Sequence, residues 1–200
     1  AVGVSLDDPK SSISEAYFSI RSNLAFTTSH GLPRSLLVTS TRAGEGKSTS
    51  SFAIARIIGR TGRRVLLVDG DMRSPDVHHL AGVDNRAGLS NLLAGESDTR
   101  AHIRATEYPG VSVLTAGPMP PSAAELLSND RIRTLVTELG DTFDHVVIDG
   151  PPILGLSDAP LRGRAVEGCI LVIMAEGPAV RGIRAALARL RMVNTNIFGA

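Results

Sequence analysis

Four short apolar runs constrain the fold of this chain more than any other feature. They are residues 35–39 ("SLLVT"), 64–69 ("RVLLVD"), 145–149 ("HVVID") and 169–175 ("CILVIMA"). None of them alternates between apolar and polar residues, so each predicts a strand that is buried on both faces. Such strands are typical of a parallel sheet that is covered by helices. A weaker run at residues 111–116 predicts one more strand.

The segments between these runs have the residue spacing of helices. Helices are predicted over residues 13–26, 49–60, 89–93, 123–139 and 181–192. The alternation predicts an α/β fold with a doubly wound, mostly parallel sheet flanked by helices and joined by right-handed crossovers. We expect residues 1–12 to be a linker and residues 13–200 to be one domain. Its last strand begins in residues 196–200 ("NIFGA"), and we expect its C-terminal end to be truncated.

The composition is that of an ordinary globular protein, with 42% hydrophobic and 20% charged residues in a chain of 200. The formal net charge of +1 gives no indication of a nucleic-acid partner, and none is expected. The one cysteine, Cys169, stands in an apolar run, so we expect it in the core of a protein from a reducing compartment. No apolar run reaches the length that spans a membrane.

One loop carries the first indication of chemistry. Residues 41–50 ("TRAGEGKSTS") follow a predicted strand and lead into a predicted helix. Gly44 and Gly46 allow the backbone to turn several N–H groups around a phosphate, and the helix N-terminus favours the same anion. Lys47 is one of two lysines in a chain with 19 arginines, and its compact ammonium suits a tight loop better than a guanidinium. Lys47 is predicted to contact the β- and γ-phosphates, and the Ser48 hydroxyl to ligate Mg²⁺.

The loop departs from the standard phosphate-loop motif at its first glycine position, which holds Thr41. The remaining "GxGKST" core is intact, so the fold is predicted to be a P-loop NTPase with a deviant Walker A motif. The residues expected to bind nucleotide are Arg42, Ala43, Gly44, Glu45, Gly46, Lys47, Ser48 and Thr49.

Three carboxylates stand where predicted strands end. Asp69 and Asp71 are two residues apart, so extended chain places them on one face, and Asp149 ends another strand. The carboxyl ends of parallel strands are where open α/β sheets bind ligands, and a carboxylate there can hold Mg²⁺ through its water shell. Transfer to a protein hydroxyl also needs a base, which Asp69 or Asp71 could supply; the spacing leaves both open.

These motifs resemble those of a known family. The segments "TSTRAGEGKST", "VLLVDGDMRSP" and "FDHVVIDGPP" are similar to the Walker A, Walker A′ and Walker B motifs of bacterial tyrosine kinases (BY-kinases), which regulate capsule and exopolysaccharide export. Residues 13–26, 88–95, 113–129 and 156–160 are also similar to that family.

The resemblance implies an ATP- and Mg²⁺-dependent, autophosphorylating protein-tyrosine kinase at the cytoplasmic face of the bacterial inner membrane. Its implied partners are a membrane activator segment or protein, and a tyrosine-rich tail that a neighbouring subunit offers as substrate. Lys47, Asp69, Asp71 and Asp149 would then be the catalytic residues. Ser48, Asp69 and Asp149 would hold the metal.

The chain departs from the family in two further places. The family's subunit-contact motif is Glu-x-x-Arg-x-x-Arg; Glu15 and Arg21 match it, but Phe18 takes the middle position. A homo-oligomer, such as a ring, is therefore expected through the helix that bears Glu15 and Arg21. The only tyrosines are Tyr17, expected in the core, and Tyr108, expected in an exposed turn, so an acceptor cluster would lie beyond residue 200.

Two other functions remain open from the sequence. Arg42 stands where partition-type ATPases carry a signature lysine. The chain could therefore be a partition-type or septum-positioning ATPase that acts as a dimerisation switch. A nucleotide-binding scaffold with low turnover is the third hypothesis.

Overall fold

The computed structural model describes residues 6–8, 10–121, 126, 130–155, 165–175 and 180–200. Within them, seven strands form one sheet: β1 (Ser35–Ser40), β2 (Val65–Asp69), β3 (Ile103–Ala105), β4 (Val111–Leu114), β5 (His145–Asp149), β6 (Gly168–Val172) and β7 (Ile197–Gly199). Their order across the sheet is β3-β4-β2-β5-β1-β6-β7. All neighbouring pairs are parallel except β3 and β4, which confirms the predicted doubly wound, mostly parallel sheet.

Helices connect the strands. They are α1 (Ser12–Leu24), α2 (Lys47–Gly59), α3 (Val77–Ala81), α4 (Leu89–Ala94), α5 (Thr99–His102), α6 (Asp130–Thr142) and α7 (Val180–Met192). The short elements α3, α5 and β3 are not predicted from the sequence. The predicted beginning of the helix at residues 123–139 lies mostly outside the described residues, and α6 continues three residues beyond its predicted end. Among the described residues, no helix has the length and apolar character needed to cross a bilayer.

Apolar residues cover both faces of the sheet, and this explains why the strand sequences do not alternate. In β2, Leu66 and Val68 belong to one buried cluster, while Val65 and Leu67 belong to the cluster on the other face. Successive side chains of a strand point to opposite faces, so a strand between two helical layers needs apolar residues at every position. Cys169 is fully buried in the first cluster, as predicted.

The N-terminal residues pack against the α2 helix. Leu6 is fully buried beside Ala53 and Ile57, and Asp7 forms an ion pair with the buried Arg56. The linker at residues 1–12 stays a prediction, but its residues 6–8 lie on the body of the protein. Phe18, at the departure from the subunit-contact motif, is half-buried against the same cluster. Phe18 therefore contributes to packing.

The two tyrosines differ from each other in their surroundings. Tyr17 packs partly buried on α2, and its hydroxyl hydrogen-bonds Ser50 at 3.2 Å. The expectation that Tyr108 is exposed is wrong, because its ring is half-buried. The Tyr108 ring meets Phe52 edge-on at 5.1 Å, and the Arg56 guanidinium lies 4.1 Å above the ring.

Candidate nucleotide site

The loop between β1 and α2 has the backbone conformation of an anion cradle. Gly44 and Gly46 adopt φ of 82° and 88°, in the left-handed region that residues with a Cβ avoid. Gly46 is the N-cap of α2, and no side chain among the described residues caps this helix terminus. Within α2, the first backbone N–H that has an acceptor among the described residues is that of Ser50, which donates to the Gly46 carbonyl at 2.9 Å.

The N–H groups in the second half of the loop and at the start of α2 remain available. For residues 43–49, no protein acceptor takes any of these N–H groups in the part of the chain that the structure describes. Uncapped N–H groups at a helix N-terminus attract anions, and the helix dipole adds to this attraction. The residues of the loop thus fit a phosphate group.

Lys47 begins α2 and points towards the carboxyl ends of two neighbouring strands. Its Nζ atom lies 2.9 Å from Asp71 Oδ2, 3.7 Å from Asp149 Oδ2 and 3.2 Å from Ser48 Oγ. Burial alone lowers the pKa of the Lys47 amine, but Asp149 and Asp71 outweigh this effect and the net pKa is raised. Lys47 is therefore a firmly protonated, buried cation at the mouth of the phosphate loop.

Asp69 has a different environment from Asp71, although the sequence places them two residues apart. Asp69 is fully buried, and its two carboxylate oxygens accept N–H groups from Asp71, Asp76 and Val77 at 3.1–3.2 Å. These bonds hold the turn after β2 and the start of α3. Burial, together with the charge of Asp149, raises the pKa of Asp69 to about 7.

Asp149 ends β5, directly beside Asp69 on β2. Burial raises the pKa of Asp149 to about 6, against the opposing charge of Lys47. Neither of its carboxylate oxygens makes a hydrogen bond of ordinary geometry to a described residue. The Lys47 amine, 3.7 Å from Oδ2, offsets part of the desolvation cost of these buried acceptors, and an ion with its bound waters would relieve more of it.

The site fits Mg²⁺ better than a metal that is enclosed by protein ligands. In the described ranges, no three His, Cys, Asp or Glu side chains converge closely enough to hold a metal by themselves. Mg²⁺ keeps several waters and takes one or two carboxylates, often together with substrate phosphates. Asp149 and the Ser48 hydroxyl, both beside Lys47, match this mode of binding.

The structure brings together most of the residues that the sequence singles out. Lys47, Ser48, Asp71 and Asp149 meet at one edge of the sheet, with Asp69 on the adjacent strand. Arg42, Ala43, Gly44 and Gly46 are exposed along the loop, and Thr49 is half-buried in the first turn of α2. Sequence reasoning missed the role of the Glu45 side chain, which is buried and bonds to the start of its own loop.

Comparisons with known proteins agree with this geometry. A family model described as an AAA domain matches residues 34–198. The tyrosine-protein kinase YwqD of Bacillus subtilis (strain 168) is 38% identical over 170 residues, which make up 85% of this chain and 72% of that protein. The solved kinase domain of the Escherichia coli tyrosine kinase ETK is 33% identical, with a TM-score of 0.92 over 98% of this chain and 77% of that chain.

More distant structures share the fold alone. The septum site-determining protein MinD of Pyrococcus horikoshii OT3, complexed with Mg-ADP, is 24% identical to this chain. Its TM-score is 0.65 over 82% of this chain and 67% of that chain. The similarity to the tyrosine kinases is therefore greater in both sequence and structure than the similarity to this septum-positioning protein.

Proposed function

This chain belongs to the bacterial tyrosine-protein kinases, within the AAA domain family, and we propose that it transfers the γ-phosphoryl group of ATP to protein tyrosines. The observation that carries this proposal is the convergence of a free N–H cradle, a buried lysine and carboxylates from two strand ends. Phosphoryl transfer depends on positioning and on neutralising phosphate charge, and these groups supply both.

Each residue has a role that its surroundings support. The N–H groups of residues 43–49 would hold the phosphates, and Lys47 would neutralise charge on the β- and γ-phosphates. Mg²⁺, when bound through Ser48 and Asp149, supplies charge neutralisation at the phosphate oxygens. Asp69 keeps the turn after β2 in place through three backbone hydrogen bonds.

Asp71 is the better candidate for the base. Its Oδ2 lies 2.9 Å from the Lys47 amine, and only its Oδ1 accepts a backbone N–H among the described residues, whereas both oxygens of Asp69 accept backbone N–H groups. In the proposed step, the tyrosine oxygen forms a bond to the γ-phosphorus while the bond from phosphorus to the β–γ bridging oxygen breaks. The hydroxyl proton passes to the Asp71 carboxylate, and ADP leaves with the electron pair of the broken bond.

We extend the proposal to the cellular role that the family resemblance implies. Residues 13–200 would be the kinase domain, and residues 1–12 would link it to a membrane activator at the cytoplasmic face of the bacterial inner membrane. The acceptor would be a tyrosine-rich tail of a neighbouring subunit in a homo-oligomer that uses the helix with Glu15 and Arg21. The enzyme would thereby regulate the synthesis and export of capsular polysaccharide or exopolysaccharide.

The direct test is to incubate the purified chain with γ-labelled ATP, Mg²⁺ and a synthetic tyrosine-rich peptide. We expect label in the peptide, and phosphoamino-acid analysis should recover it as phosphotyrosine. Lys47→Met should abolish the label. Release of labelled phosphate with an unlabelled peptide would instead indicate an ATPase of the partition or septum-positioning type. Tight nucleotide binding without either product would indicate a scaffold.

A further inference from the structure

A carboxylate inside the phosphate loop bonds back to the residue where the loop begins. Glu45 Oε2 accepts the Thr41 N–H at 2.7 Å and the Arg42 N–H at 3.1 Å. The Thr41 hydroxyl lies 2.5 Å from Oε1 and 2.6 Å from Oε2 of the same carboxylate. We call this set of bonds the Thr41–Glu45 clamp.

The two left-handed glycines direct the Glu45 side chain inward. Gly44 and Gly46, both with left-handed φ angles, flank Glu45. Arg42, Ala43, Gly44 and Gly46 are exposed, whereas Glu45 is only 7% exposed. A buried carboxylate is costly unless donors satisfy it, and the clamp provides charge-assisted hydrogen bonds from both backbone and side chain.

The start of the loop is also held from its other side. The Thr41 carbonyl accepts the Leu154 N–H at 3.0 Å, and the Arg42 carbonyl accepts the Ser40 hydroxyl at 2.6 Å. The backbone N–H, the carbonyl and the hydroxyl of Thr41 are thus all engaged. By contrast, the N–H groups of residues 43–49 have no acceptor among the described residues. The loop is therefore fixed where it begins and free where a phosphate would bind.

We propose that Glu45 is a positioning residue that shapes the phosphate loop before nucleotide arrives, with Thr41 as its partner. This inference deepens the proposed function and rests on it. Thr41 stands where the standard motif has glycine, and the clamp explains why a hydroxyl-bearing residue suits that position. Because the loop is already shaped, binding a phosphate does not have to pay for ordering it.

The test uses four substitutions that change the clamp in graded steps. Glu45→Gln keeps the size of the side chain but replaces one acceptor oxygen with a donor, and Thr41→Val removes the hydroxyl at nearly constant volume. Thr41→Ser retains the hydroxyl, and Thr41→Val/Glu45→Gln completes a double-mutant cycle. Glu138→Gln, on the exposed face of α6, is the control for loss of a carboxylate.

Three measurements apply to each variant: the ADP dissociation constant by calorimetry, kcat and KM for ATP, and thermal unfolding without nucleotide. We expect Glu45→Gln and Thr41→Val each to raise the ADP dissociation constant about tenfold. Thr41→Ser and Glu138→Gln should stay within about twofold of the wild type. KM for ATP should rise while kcat at saturating ATP changes by less than about threefold, because the clamp does not touch the reacting atoms.

The double variant separates a shared clamp from two independent effects. If the two residues act together, the ADP dissociation constant of the double variant should be about the same as the larger of the two single-variant constants. Additive losses, or wild-type affinity in Glu45→Gln, would overturn the inference. If Glu45→Gln does not fold, equal affinities of Thr41→Val and Thr41→Ser would overturn it as well. Failure of the wild type to bind ADP would instead reject the proposed function.

Discussion

The amine of Lys47 and the carboxylate of Asp71 form a buried ion pair, with 2.9 Å between Nζ and Oδ2. The two side chains are only 8% and 4% exposed, so the pair is shielded from water. Lys47 comes from the start of α2 and Asp71 from the segment after β2, so the pair ties the phosphate loop to the end of a strand that lies two positions from β1 in the sheet. Because the same amine is proposed to contact phosphate, nucleotide binding should draw Lys47 away from Asp71 and release the carboxylate.

The first prediction concerns the charge of Lys47. Lys47→Met should weaken ATP binding by about 100-fold or more, equivalent to about 3 kcal/mol, because phosphate charge is left without its buried cation. Phosphotransfer should be lost with it. Calorimetry and the peptide assay measure both effects. Lys10→Met is the matched control, since Lys10 is the other lysine and is exposed; equal losses in both variants would contradict the assignment.

The second prediction separates the two neighbouring aspartates. Asp71→Asn should spare most nucleotide binding and stop phosphotransfer, because an amide cannot accept the tyrosine proton. Asp69→Asn should also stop phosphotransfer and should in addition lower the free energy of unfolding by about 1–3 kcal/mol, since its amide group would face N–H donors. Thermal unfolding and single-turnover phosphotransfer distinguish the two. Retained kinase activity in Asp71→Asn would overturn the assignment of Asp71 as the base.

The fold could be predicted because burial on both faces leaves a clear mark in the sequence. The strands β1, β2 and β5 are continuous apolar runs, and the structure places them at the centre of the sheet. The edge strand β3, with only three partly buried or exposed residues, carries no such mark. The location of the site could be predicted in the same way, because the carboxyl ends of parallel strands lie together and ligands bind there.

The features that could not be predicted from the sequence depend on where individual side chains point. Glu45 stands in a polar, glycine-rich loop, where a glutamate is normally solvated, but here it is buried between two left-handed glycines and bonded to Thr41. Asp69 and Asp71 share a face in extended chain, but β2 ends at Asp69 and the chain then turns. Tyr108 packs on Arg56, which is 52 positions away, and such a contact has no local pattern.

The third prediction uses the raised pKa of Asp149. Its pKa in the folded protein is about 6, above the ordinary 3.8. At pH values between these two, the folded protein keeps a proton on Asp149 that the unfolded chain has already released. The contribution of Asp149 to stability is therefore fully present below about pH 4 and is lost as pH rises through about 6. Asp149→Asn has no carboxyl group at this position and does not lose stability in this way. Its free energy of unfolding relative to the wild type should therefore rise by on the order of 3 kcal/mol between about pH 4 and 6.

Urea unfolding of the wild type and of the variants at several pH values from 2 to 7.5 measures this difference. Asp144→Asn is a useful contrast, because the Arg64 guanidinium lowers the pKa of Asp144 to about 2. Its stability relative to the wild type should fall, not rise, as pH increases from about 2 to 4. A difference between Asp149→Asn and the wild type that does not depend on pH would contradict the buried environment of Asp149.

The fourth prediction tests the proposed oligomer. Glu15 is exposed on α1, while the Arg21 guanidinium lies 5.6 Å from the centroid of the Phe18 ring. If this helix face joins subunits, Glu15→Ala should shift sedimentation towards monomers in the presence of nucleotide and Mg²⁺. Ser19→Ala, exposed on the same helix, should sediment like the wild type. An unchanged profile for Glu15→Ala in an otherwise oligomeric protein would reject this interface.

The fifth prediction concerns the N-terminal residues that lie on α2. Leu6 is fully buried against Ala53 and Ile57, and the Ser14 hydroxyl donates to the Leu6 carbonyl at 3.2 Å. Leu6→Ala should lower the free energy of unfolding by about 2–5 kcal/mol, as for other buried leucines. Phe26→Ala is the control, because Phe26 is 88% exposed and its loss should cost less than about 0.5 kcal/mol. If Leu6→Ala were as mild as this control in chemical unfolding, residues 6–8 would not be docked in solution. A large loss would mean that residues 6–8 are docked in solution on the helix that begins at Lys47.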